Sequence, residues 1–262
     1  MTTLAVPSFA SSLAAVARLS MLRTLRSKKL RLALVGVALV VGGTLAARYL
    51  GDGTAAEETF EKGLATGFFS FLVFLVPFLF HSGSIAEEVE GRTFPFLAGR
   101  PTGRFAITFG KYLASTALTA GLLAAGLAVL WLGCFATTPS ALGSTAPLFG
   151  RSLLSLLLLS SAYGGICLFW GAAAPDAGGI VAIVHLGAIE YVGSALPLAF
   201  RLISLNHHAT EVAGLERGGM MATSVPTIPL AASGGLLAVA TVAAVGIAAA
   251  VVQVSEYRFS KS

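Results

Sequence analysis

The sequence predicts an all-α, polytopic integral membrane protein with six transmembrane helices and an N-terminal interfacial amphipathic helix. Three observations carry this. Of the 262 residues, 56% are hydrophobic and only 11% charged, with a mean hydropathy of +0.85. That is far more apolar than a soluble domain of this size requires. The excess falls in blocks of about 20 residues, the length that spans a bilayer as a helix, whereas a transmembrane barrel would show alternating segments of about 10. Finally, the charges gather between the blocks and at the chain ends. The net charge of +5 therefore reads as topology, and nucleic acid is not an expected partner.

In residues 1–29, Val6, Phe9, Leu13, Val16 and Met21 form an approximate helical stripe, and Arg18, Arg23, Arg26, Lys28, Lys29 and Arg31 cluster toward the first span. This predicts a helix lying on the anionic cytoplasmic leaflet. A solvated basic tail is one alternative. A signal peptide is another, opposed by the missing charged n-region and the missing A-x-A site. The transmembrane domain follows over 30–254. Span one is 30–47, where Gly36, Gly42 and Gly43 offer a small-residue face for close packing. A polar loop, 48–62, carries Asp52, Glu57, Glu58 and Glu61. Span two is 63–80, bent near its inner end by Pro77, with His81 as an interfacial residue beyond it. Span three, 112–135, ends near Trp131, an interfacial anchor.

A Thr/Pro/Ser/Gly loop at 136–150 leads to span four at 152–173. A tight turn at 174–179 contains Pro175-Asp176. Span five begins at 180, runs to about 196 and is broken by Pro197. The polar segment 197–227 is external, span six is 228–252, and 255–262 form a cytoplasmic tail. The N-terminal segment, the 84–111 loop and the tail hold twelve of the seventeen Lys and Arg residues. The positive-inside rule then places both termini and that loop in the cytoplasm, and the protein in the cytoplasmic membrane. Cys134 and Cys167 fall in spans, with neither disulfide nor metal spacing.

The stretch 85–111 reads IAEEVEGRTFPFLAGRPTGRFAITFGK. Its charges cannot sit in lipid, so it is a loop between two spans. Ser84 is positioned to cap a helix at 85–90, with Glu87, Glu88 and Glu90 in its first turns, where the helix dipole favours anions. Gly91 can end that helix. Pro101 and Gly103 mark a turn, and a second helix is expected to start near Arg104 and enter the next span.

The order Ser84-Ile85-Ala86-Glu87-Glu88, Glu90-Gly91-Arg92-Thr93, Leu97, Arg100-Pro101, Arg104 and Gly110-Lys111 resembles the ABC-2 family of ABC transporter permeases over roughly thirty residues. The resemblance implies a membrane subunit of an exporter that pairs with a separate ABC ATPase. The ATP and Mg would be on that partner, and none would be in this chain. It also implies a second permease chain, expected as a homodimer. Glu87, Glu88, Glu90, Arg92, Thr93, Arg100, Pro101 and Arg104 would form the coupling loop that contacts the ATPase. Residues 203–218 match the family more loosely through Leu205, His208 and Gly218. There the resemblance implies short re-entrant helices facing outward.

Other chemistries are weighed against these residues. No G-x-x-x-x-G-K-[ST] loop is present, so the chain itself is expected to be silent toward ATP, a transport subunit and not an enzyme. Glu87-Glu88-x-x-x-Arg92 also matches the EExxxR signature of intramembrane CAAX-type proteases, the alternative reading, but His81 and His185 lack the spacing of the partner motifs. His207, His208 and Glu211 have a helical spacing that could share a metal, with no third strong ligand, and are read as polar surface. Glu190 lies mid-span, where an ionisable group needs a partner on another helix or faces a transport path. His185, five residues away, lies on a different face of the helix.

Overall fold

The computed structural model describes residues 8–51, 55–93, 103–192, 202–215 and 228–255, with only the backbone for 191–192. Among these residues every regular element is helical. Helix α1 is Phe9–Leu25, opened by the Ser8 hydroxyl accepting from the Ser11 amide. A break at Arg26-Ser27 separates it from α2, Lys28–Leu50, where Ser27 repeats the cap toward the Leu30 amide. These caps satisfy donors that the first helical turn leaves free.

The second apolar block is a continuous helical rod. It runs through α3 (Ala56–Lys62), a π-helical segment (Gly63–Leu72), α4 (Val73–His81) and α5 (Gly83–Glu90). Most of the expected polar loop at 48–62 is therefore helix. Helix α6 is Arg104–Cys134, starting where the sequence predicts but eight residues before the expected span. Helix α7, Ala141–Ala173, likewise absorbs much of the expected 136–150 loop, and it accommodates Pro147. The turn at 174–179 is present and leads into α8, Gly178–Leu186, and a second π-helical segment, Gly187–Val192. Helix α9 is Leu205–Ala213 and α10 is Leu230–Val254.

Among the described residues five helical stretches are long and apolar enough to cross a membrane: α2, the rod Ala56–Glu90, α6, α7 and α10. The expected fifth span is represented by the shorter apolar helix Gly178–Glu190, and residues 193–201, including Pro197, lie outside the described part. Residues 175–180 line a cleft beside α5, and α9 packs on the middle of α7, its Ala209 carbonyl accepting from Ser155.

Helix α7 is the hub. Of its most apolar stretch 61% is buried, against 22% for α2 and 28% for α10, whose open faces carry Leu39, Val239 and Val242. It packs against α4, α6, α8, α9 and α10. Helices in lipid associate through close packing, with little hydrophobic drive between them, so small residues set the contacts. Gly165 brings α10 so close that a Cβ there would lie 3.0 Å from the Ala244 methyl, and Gly164 faces the His81 ring. Of the three span-one glycines, Gly36 does face Leu75, but nothing lies within 4 Å of Gly42 or Gly43. Phe60, Phe68, Leu72, Leu127 and Leu156 fill the main core.

Two expected interfacial residues are packed instead. His81 is fully buried, its Nδ1 3.0 Å from the Pro77 carbonyl and its Nε2 3.1 Å from Thr116 Oγ1. Trp131 donates to Thr145 Oγ1 at 3.0 Å and stacks on Phe149, tying α6 to α7. Both cysteines are free and buried.

Candidate functional site

Glu87 and Glu88, two of the charged residues of 84–93, meet cations from three other helices at one end of the bundle. Helix α5 has no separate capped start. Its N-cap is Ser82, which makes no side-chain cap bond, and the Ser84 hydroxyl donates back to the His81 carbonyl at 2.8 Å. So α5 extends the span, and its glutamates lie in its last two turns. The expected dipole stabilisation is absent, because anions are favoured at the opposite helix end. Direct ion pairs take its place.

Glu88 points inward. Its carboxyl accepts from Arg23 Nη1 of α1 at 2.6 Å, from Lys111 Nζ of α6 at 3.0 Å and from the Thr93 hydroxyl. Lys111 also donates to the Ser84 carbonyl at 2.8 Å. Glu87 is more open and pairs with Lys29 at the start of α2 and with Arg23 Nη2 at 3.6 Å. The cations come close because α1 lies along α6, with Leu13 and Val16 seated on Gly110. The stripe read from sequence is thus split: Leu13 and Val16 face α6, while Phe9 and Met21 are exposed, and Val6 lies outside the described residues. A basic cleft lies between α1 and α5, lined by Arg23, Lys28, Lys29, Glu87 and Lys111.

Beyond Glu88 the chain turns sharply. Gly91 ends α5 with a right-handed conformation, and Arg92 takes the left-handed one at φ 55°. The Thr93 amide donates to the Glu88 carbonyl at 2.9 Å. Glu90, Arg92 and Thr93 are exposed. Arg104 faces elsewhere, its Nη1 donating to the Gln253 carbonyl at 2.9 Å and closing the C-terminal end of α10. A cation at a helix C-terminus answers the last free carbonyls. Arg100 and Pro101 lie outside the described residues.

Glu190 forms a second centre, separate from the first. It is 5% exposed, and its carboxyl caps α9: Ser204 Oγ and the Asn206 amide donate to Oε2 at 2.6 and 2.9 Å, and the Leu205 amide donates to Oε1 at 3.1 Å. The partner required for a mid-span carboxyl is therefore a helix N-terminus. His185 is not bonded to it and makes a ring contact with Trp170. His208 is a buried tie, Nδ1 3.2 Å from Ser233 Oγ and Nε2 3.0 Å from the Leu202 carbonyl. Among the described residues no three His, Cys, Asp or Glu side chains gather to hold a metal, and no histidine is bonded to Glu87 or Glu88.

Sequence reasoning missed Arg23 and Lys29 as partners of the glutamates, and Ser204 as a partner of Glu190. A signal existed only for Ser204, a serine opening a helical stretch. The fold defines an all-helical chain of the membrane-spanning class. Neither models of known protein families nor curated proteins gave a match to it.

Proposed function

We propose that the chain is the permease subunit of an ABC-2 type exporter in the cytoplasmic membrane. It would work as a homodimer with two ABC ATPase subunits that bind the ATP and Mg. One observation carries the reading: the first of the residues that resemble the ABC-2 coupling loop, Ser84 to Glu90, lie in a charged helix that extends a span. Arg23, Lys29 and Lys111 lock it to α1, α2 and α6. A push on Glu90, Arg92 or Thr93 would therefore travel along the rod Ala56–Glu90 instead of being lost in a slack tether. Glu88 holds the joint together, Arg104 ties the start of α6 to the end of α10, and the exposed residues offer the docking surface. A sixth crossing between α7 and α9, as the sequence predicts, would put both termini in the cytoplasm and α1 on the inner leaflet.

Co-purification with the ATPase tests this. Glu90→Lys reverses an exposed charge that the ion-pair cluster does not use, and like charges across an interface cost several kcal/mol. The expected result is loss of the bound ATPase, or of transport-coupled ATP hydrolysis in liposomes. Glu57→Lys with Glu58→Lys, exposed at the other end of the rod, should retain both. Normal binding and coupling in Glu90→Lys would remove the main support for the assignment.

A further inference from the structure

Glu190 caps α9, yet its hydrogen bonds do not exhaust it. A carboxylate offers about four lone-pair sites. Among the described residues, two on Oε2 and one on Oε1 are taken, which leaves one on Oε1. In the same cavity, Asn206 Oδ1 is shut off from solvent and has no hydrogen-bond partner among the described residues. Buried acceptors are rarely left unmet, so two such sites on one cavity call for a donor. Both residues line one cavity with about 100 Å³ of accessible space.

The other walls are Phe69, Phe74, Tyr163 and Leu186, with Ser70 as a further polar lining residue whose hydroxyl donates to the Ala65 carbonyl at 2.9 Å. Phe69 and Glu190 come from the two π-helical segments, 63–72 and 187–192, which face each other across the cavity. Such segments are frequent at functional sites, because the wider turn re-aims side chains. Glu190 is 12 residues into the stretch that starts at Gly178 beside α5, so the cavity lies about 18 Å from the α5 end at 1.5 Å per residue. That depth is well inside a hydrocarbon core about 30 Å thick.

The electrostatics select the occupant. Among the described residues no Lys, Arg or His is bonded to the Glu190 carboxyl. The α9 N-terminus supplies only about half a positive charge. An anion is excluded, because the free groups are acceptors. A hard divalent cation wants several carboxylates, and one is present. A neutral alcohol donates once and leaves one acceptor unmet. An ammonium donates to both, neutralises the carboxylate and is attracted to the ring faces around it.

We propose that this cavity binds an organic ammonium, its N–H groups meeting Glu190 Oε1 and Asn206 Oδ1 and its apolar body lying against Phe69, Phe74 and Tyr163. The site is a property of this chain alone and does not depend on an ATPase, so its failure would leave the co-purification result untouched. The test is calorimetric titration of the purified full-length protein, in uncharged detergent, with benzylammonium and with the neutral isostere benzyl alcohol. Benzylammonium should bind saturably with one site per chain. Asn206→Ala and Phe74→Ala, which leave the Glu190 cap in place, should each weaken it by about tenfold, the scale of one lost charged hydrogen bond or ring contact. Glu190→Gln should abolish it, and if that variant does not fold, Asn206→Ala decides. Two results would overturn the proposal. One is equal, unsaturable uptake of both probes, which would mean that the cavity holds only water. The other is saturable binding unchanged in Asn206→Ala, which would place the ammonium elsewhere.

Discussion

The Glu88 carboxyl of α5 and the Lys111 ammonium of α6 meet at 3.0 Å, with more than nine-tenths of each side chain hidden from solvent. They close the charged helix onto the span that follows it. Burying two ions is costly, and the attraction repays that cost only when their other valences are filled. Here Arg23, Thr93 and the Ser84 carbonyl fill them. Removing one partner is thus worse than removing both.

Lys111→Met should lower stability by about 3 kcal/mol, the low end for a broken buried pair, since Arg23 still holds Glu88. Glu88→Gln alone should cost a similar amount by stranding Lys111. The double variant should cost less than the sum. Thermal unfolding of the four proteins in detergent forms the double-mutant cycle. Strict additivity would show that the two groups do not couple.

Glu190→Ala removes the acceptor of three hydrogen bonds at the start of α9. Loss of a cap typically costs about 1 kcal/mol of helix stability. Amide hydrogen exchange across Leu205–Ala213 should speed up about fivefold to tenfold, with α7 unchanged, if α9 opens locally. Unaltered protection of α9 would show that Ser204 alone suffices as the cap.

Gly165→Val forces a branched side chain against Ala244 and Val245 of α10, where the gap to a Cβ is already 3.0–3.2 Å. Overpacking of this kind costs about 1–3 kcal/mol. Gly143→Val, at a position with nothing within 4 Å, should be nearly neutral toward packing. Comparing the unfolding temperatures of the two variants checks the α7–α10 contact.

Membrane sidedness can be read with single cysteines, because Cys134 and Cys167 are buried and should stay silent. Glu90→Cys should be protected from an impermeant thiol reagent added to intact cells and become reactive when the membrane is opened. Ser140→Cys, between α6 and α7, should react from outside. The reverse pattern would invert the orientation drawn from the Lys and Arg distribution.

Much of the architecture was legible in the sequence. The apolar blocks gave α2, α6, α7 and α10, and Pro101 and Gly103 pointed to a helix start near Arg104, where α6 begins. The ends of elements were less legible. Helix α7 begins at Ala141, since Thr, Ser and Pro in its first turns are tolerated once Thr145 bonds to the Ala141 carbonyl and to Trp131. Ser84 was misread as a cap because a serine beside acidic residues looks the same whether its hydroxyl bonds forward or backward. The site was half legible. The glutamates stood out as charges between apolar runs, but Arg23 pairs with Glu88 across 65 residues, and no local spacing encodes that. The same holds for Glu190: its need for a partner follows from its burial, but the partner's identity follows from where α9 docks on α7.

The π geometry of Gly63–Leu72 has a consequence for how this rod can vary. Counting at 3.6 residues per turn fails across that segment, so the faces of α3 and α4 are out of phase with each other by an amount that only the wider turns supply. Deleting a single residue there, with the wider turns kept, would rotate everything downstream by about 100°. Phe74 would leave the Glu190 cavity, and Glu88 would swing away from Arg23 and Lys111. In this chain, length is therefore as strictly specified as residue identity: a one-residue gap between 63 and 72 would disconnect the two sites at once, whereas a conservative substitution in the same stretch would touch only one.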